Sequence, residues 1–78
     1  MHTVTIYSTP TCHFCHMAKD FFNANKISFT DMNAATDIVA RKEAVSKSGQ
    51  MGVPVIDIDS NIVVGFDEPK LRKLLGIK

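Results

Sequence analysis

The sequence predicts a single α/β domain of element order βαβαββα, on three observations. Runs of β-branched and aromatic residues alternate with stretches of helical apolar spacing, the polar breaks between them are short, and 78 residues leave room for one modest core. An apolar share of 45% with four glycines, three prolines and no low-complexity run is the composition of one folded unit spanning 1–78. Formal charge is +1 and the basic residues are scattered, which excludes the electrostatic footprint of nucleic-acid or anionic-membrane binding. No stretch approaches the roughly 20 apolar residues of a bilayer span, and Met1–Thr5 lacks a basic region followed by an apolar one. A cytoplasmic location is expected.

Thr3-Val4-Thr5-Ile6-Tyr7 reads as the first strand, stopped by Ser8-Thr9-Pro10. Phe14, Met17, Ala18, Phe21 and Phe22 recur at i, i+3, i+4, i+7 and i+8, the stripe of a helix with one buried face, with Thr11 as its N-cap. After Asn23-Ala24-Asn25-Lys26, the segment Ile27–Met32 returns to strand periodicity and completes a βαβ unit. Asn33–Thr36 offers caps for a second helix whose apolar side is Ala35, Ile38, Val39 and Val45, with Asp37, Arg41, Lys42 and Glu43 solvated; Ser48-Gly49 ends it. Val53–Ile58 and Ile62–Val64, joined by Asp59-Ser60-Asn61, read as antiparallel neighbours. Asp67 caps a last helix with Pro69 in its first turn and Leu71, Leu74 and Leu75 facing inward.

Two cysteines are too few to staple a small scaffold, and three positions apart they close only a tiny loop, so their purpose is chemical. Cys12 falls where the strand-ending turn becomes a helix, and the unpaired N–H groups and partial positive charge there favour a thiolate. Cys15, one turn further in, is less exposed. Cys12 therefore attacks a disulfide and Cys15 resolves the resulting mixed disulfide. Inert core thiols have no reason to occupy such a junction. Zinc within one chain is disfavoured, because Cys12, His13, Cys15 and His16 cannot all converge on one tetrahedral centre and no second Cys/His cluster exists. An iron-sulfur or zinc site shared between two chains through Cys12 is the alternative of another class. A third is an interaction domain using a surface of Phe14, Val53 and Phe66. His13 and His16 read as solvated first-turn residues, with His16 close enough to Cys12 for its cation to favour the thiolate at low pH.

Taken together, Tyr7–Cys15, Ser48-Gly49-Gln50 leading to Val53-Pro54, and Val64-Gly65-Phe66-Asp67 resemble the glutaredoxin branch of the thioredoxin superfamily over essentially the whole chain. The resemblance implies the thioredoxin fold, a four-stranded mixed sheet flanked by three helices, with strands ordered second, first, third, fourth. It also implies a cis Val53–Pro54 bond packed against the thiols and a Val53 backbone that pairs with an extended substrate peptide. No resident cofactor or metal is implied. Glutathione is the implied cosubstrate, bound around Thr9, His13, Phe14, Val53, Pro54, Gly65, Phe66 and Asp67.

The chain departs from the family pattern at three places. Thr9 stands where typical glutaredoxins carry a lysine that meets a glutathione carboxylate, His13 and Phe14 replace the usual proline and tyrosine, and Val64 replaces the first of two glycines. Loss of one charge-assisted contact weakens glutathione by about 1.5 to 3 kcal/mol, a factor of roughly ten to a hundred or more. Gly65-Phe66-Asp67 also looks like the tail of the NrdH-type redoxins, electron donors to ribonucleotide reductase that are recharged by thioredoxin reductase. The expected partners are disulfide-containing proteins, with glutathione or thioredoxin reductase as reductant and ribonucleotide reductase as a candidate acceptor. The expected state is a monomer.

Overall fold

A computed structural model describes residues 3–49 and 54–77. The sheet consists of β1 (Val4–Ser8), β2 (Thr30–Asn33), β3 (Val55–Ile58) and β4 (Asn61–Val64) in the order β2-β1-β3-β4. β1 pairs parallel with β2 and antiparallel with β3, which in turn pairs antiparallel with β4. The helices are α1 (His13–Ala24), α2 (Ile38–Ser48) and α3 (Glu68–Leu75), so the βαβαββα order and the thioredoxin-type sheet are both realised.

Alternation along the strands divides the interior into two layers. Val4, Ile6, Ile56, Ile58 and Val63 pack with Ala18, Phe21 and Phe22 of α1 and Leu71 and Leu75 of α3. Tyr7 and Val55 point to the other face, where Ala40 and Ala44 of α2 meet them. Both layers need the same register: Ile6 lies opposite Ile56, and Tyr7 opposite Val55.

Three local expectations are corrected. β2 begins at Thr30 rather than Ile27, because Ile27 belongs to the end of α1. Lys26 adopts φ +56°, its N–H bonds the Asn23 carbonyl and the Ile27 N–H bonds the Phe22 carbonyl at 2.8 Å, a Schellman closure with Ile27 packed on the core. The cap of α2 is Asp37, outside the expected Asn33–Thr36, with Oδ1 accepting the N–H groups of Val39 and Ala40. Asn33 instead folds the preceding turn by accepting from Ala35 N and Thr36 N. The buried side of α2 is Ala40 and Ala44; Ile38 and Val39 are 65% and 63% exposed, and Ala35 is exposed outside the helix. Tyr7 fills the space below α2, so only methyl-sized side chains fit where helix and sheet meet.

The remaining ends follow their sequence signals. Gly49 closes α2 at φ +76°, Asp67 caps α3 by accepting from Lys70 N, and Leu74 is only half-buried beside the buried Leu71 and Leu75. The β3–β4 hairpin turns on two residues, Asp59 and Ser60, both at positive φ, with Asn61 already in β4. Among the described residues, no helix is long and apolar enough to cross a membrane.

Candidate active site

The site is built where β1 hands over to α1. Ser8 ends the strand, Thr9–Thr11 turn, and Cys12 N–H closes that turn on the Thr9 carbonyl at 3.2 Å. Thr11 is not the cap of α1; Cys12 is. Its backbone is extended at φ −85° and ψ 115°, and its Sγ accepts the Cys15 N–H at 3.2 Å. A sulfur thus does what a serine or aspartate oxygen does at other helix starts, taking one of the donors that the first turn leaves unpaired. The same N–H group stands at the positive end of the helix dipole.

The two thiols differ sharply in exposure. Cys12 is half-exposed, whereas Cys15 is 0% exposed. Burial, together with its hydrogen bond to Cys12, pushes the Cys15 thiol up to about 12, against a backbone hydrogen bond from Thr9 and the charge of Lys19, which pull the other way. Cys15 takes the inward position that the apolar stripe assigned to Phe14 and Met17. Those two are 56% and 37% exposed, so the inward face of α1 is Cys15, Ala18, Phe21 and Phe22. Phe14 lies beside the thiol pair on the outer surface, with the His13 ring edge-on to it at 5.7 Å.

His16 is an exposed first-turn residue, as expected, and it is also anchored. Its Nε2–H donates to the Pro10 carbonyl at 2.8 Å, and its backbone N–H bonds the Cys12 carbonyl at 3.2 Å. The imidazole thereby straps the turn that presents Cys12. A second polar group went unseen in the sequence. Lys19 Nζ pairs with Asp31 Oδ2 at 2.6 Å, and Asp31 Oδ1 accepts from Ser8 Oγ at 2.8 Å, with Ser8 only 2% exposed. The available signal was Lys19 at i+4 from Cys15 on one helix face.

The other expected residues divide. Pro54 is fully buried, and its carbonyl accepts the Gly65 N–H at 2.8 Å, joining two segments that the sequence placed eleven positions apart. Gly65 sits at φ +82°, which a side chain would strain. Phe66 is half-buried against the core, its ring 6.0 Å from Phe21, and Asp67 is committed to the cap of α3. Thr9 is half-buried and engaged through its backbone. Val53, the Val53–Pro54 bond and Gln50 lie outside the described residues. Among the described residues, no group of three or more His, Cys, Asp or Glu side chains is placed to hold a metal ion.

Comparison with known proteins points the same way. The glutaredoxin family model matches residues 4–63. An uncharacterized glutaredoxin-like 8.6 kDa protein in the rubredoxin operon of Clostridium pasteurianum is 47% identical, over 92% of this chain and 96% of that protein. The glutaredoxin-like protein NrdH of Lactococcus lactis subsp. cremoris is 35% identical over 91% of this chain and 97% of its own. Among solved structures, a mutant of the thioredoxin-like protein BC3987 superposes with a TM-score of 0.92 at 28% identity, covering 100% of both chains. A thioredoxin-type sheet, a half-exposed cysteine capping the first helix and a buried one a turn below it are thus joined to a family match over most of the sequence: the chain belongs to the glutaredoxin family of redox proteins.

Proposed function

We propose that the chain is a dithiol reductant of protein disulfides and small mixed disulfides, in which Cys12 attacks and Cys15 resolves. The observation that carries this is the asymmetry of the pair: Cys12 is reachable, with a backbone N–H aimed at its sulfur, while Cys15 is sealed one turn below. The Cys12 thiolate attacks one sulfur of a disulfide, forming a mixed disulfide and expelling the other sulfur as a thiolate. Cys15 then gives up its proton and attacks Cys12 Sγ. The bond to the substrate breaks, the substrate leaves as a thiol, and two electrons have passed from the Cys12/Cys15 pair. Exposed Phe14 and His13 supply the rim that an incoming polypeptide meets.

The experiment is a pair of substitutions. Cys12→Ser abolishes disulfide reduction, and Cys15→Ser leaves a substrate adduct on Cys12 that intact-mass measurement detects. Full activity of Cys12→Ser refutes the assignment.

A second reading concerns the reductant. Thr9 supplies no cation for glutathione, and a relative of similar length is an NrdH protein, so recharging by thioredoxin reductase competes with recharging by glutathione. Rates of reduction of the oxidised protein by glutathione, and by NADPH with thioredoxin reductase, decide between the two.

A further inference from the structure

The proposed second step demands a thiolate from the residue least able to form one. Cys15 is fully buried, and burial of a thiol disfavours its charged form. Any group that lowers this cost must reach the sealed side of α1. Lys19 does: it lies one turn beyond Cys15 on the same helix face, where residues four apart sit about 5–6 Å from one another at Cβ.

Lys19 is also held in place. Its Nζ is fixed to Asp31 Oδ2, and Asp31 Oδ1 is fixed to Ser8 Oγ. The register places Ile6 opposite Asp31, and Ser8 shares the face of Ile6, so this polar group lies at the β2 edge of the sheet on the side covered by α1, whose inward face carries Cys15. Asp31 is 43% exposed at its side chain and Lys19 only 21%, so water screens the carboxylate more than the ammonium.

We propose that Lys19, pinned by Asp31 and Ser8, is a positioning residue for the resolving thiol: its ammonium stabilises negative charge on Cys15 Sγ and so sets the rate of the second step, not the first. The proposal rests on the assignment of Cys15 as resolver. In that step the Cys15 proton passes through water to the departing substrate sulfur, the Cys15–Cys12 bond forms and the Cys12–substrate bond breaks. Timing favours the arrangement. While Cys12 is itself a thiolate, its charge opposes ionisation of Cys15; once Cys12 is in a mixed disulfide that opposition is gone, and the Thr9 backbone hydrogen bond and the charge of Lys19 both favour the thiolate against burial.

The test is a stopped-flow single turnover of the reduced protein, in slight excess, with the neutral chromogenic disulfide dithiodipyridine. One thiopyridone is released on attack by Cys12 and a second on resolution. Lys19→Met slows the second release by about tenfold, as expected for one partly screened charge a helical turn away at an effective dielectric of about 20. The first release, which also reports an intact fold, stays within about twofold, and Lys19→Arg restores the second. Asp31→Asn, which keeps the ammonium but removes its pin, slows the second release by no more than Lys19→Met does and leaves the first release unchanged. The proposal is overturned by an unchanged second release in Lys19→Met, or by Lys19→Met slowing the first release as much as the second. A second release that persists in Cys15→Ser removes Cys15 as resolver, an outcome distinct from either.

Discussion

Alkaline stability offers a direct check on the division of labour between the two thiols. Cys15 ionises near 9.0 when exposed, and burial raises this to about 12 in the folded protein. Between those values the unfolded chain has lost the proton while the native one retains it. Unfolding is therefore favoured by rising pH: the contribution is intact below about pH 9 and is lost as the pH climbs towards 12. Each tenfold difference in acidity between the two states is worth about 1.4 kcal/mol, so integration from about pH 7 to about pH 11 gives a loss on the order of 3 kcal/mol, a large part of the roughly 5–15 kcal/mol that holds a domain together. Lys47 titrates in the same region. Its hydrogen bonds to Asp57 and Tyr7 favour the ammonium, so its contribution also fades with increasing pH and must be cancelled. Urea unfolding of the reduced protein across this range, in parallel with Cys15→Ala, does so, because Lys47 is common to both. The parent should lose stability with pH more steeply than the variant. Parallel profiles would refute the assignment of Cys15 as a thiol whose burial holds its proton well above the ordinary range.

Two further predictions separate core from rim and test the missing cation. Phe22→Ala, at a fully buried position, costs about 3–5 kcal/mol in urea unfolding, whereas Phe14→Ala, at 56% exposure, stays within about 0.5 kcal/mol; equal losses would return Phe14 to the core. Thr9→Lys supplies the charge that glutathione lacks here and speeds reduction of the oxidised protein by glutathione by at least about tenfold, and an unchanged rate would remove position 9 from glutathione binding.

Where apolar size and periodicity agree with the packing, the fold is legible from the residues. Val4, Ile6, Ile56 and Ile58 alternate as one packed sheet face requires, and Asp67, Pro69, Leu71 and Leu75 read directly as a capped amphipathic helix. Misreadings occur where large apolar residues are not the ones at the contact. On α1, Phe14 and Met17 fit a helical stripe as well as Cys15 does, and only the position of the helix start over the sheet makes the small thiol the inward residue. On α2 the same bias chose Ile38 and Val39 over Ala40 and Ala44. The volume of Tyr7 beneath the helix, with Lys47 folded over its ring at 5.1 Å, decides that contact, and neither residue is near α2's first turn in sequence.

The site divides along the same physical line. Cys12 owes its position to a few consecutive residues, from the end of β1 through the turn to the first N–H groups of α1, so composition and spacing were enough to find it. The setting of Cys15 depends on chain segments far apart. Its burial needs α1 seated on the sheet, and the ammonium of Lys19 is fixed by an aspartate on β2 that is reached only once β1 and β2 are in register. On the proposed mechanism, attack is therefore a property of a local motif that any chain with this turn and helix start shares. Resolution is then a property of the tertiary structure, and differences between relatives that keep both cysteines should be sought first at positions 8, 19 and 31.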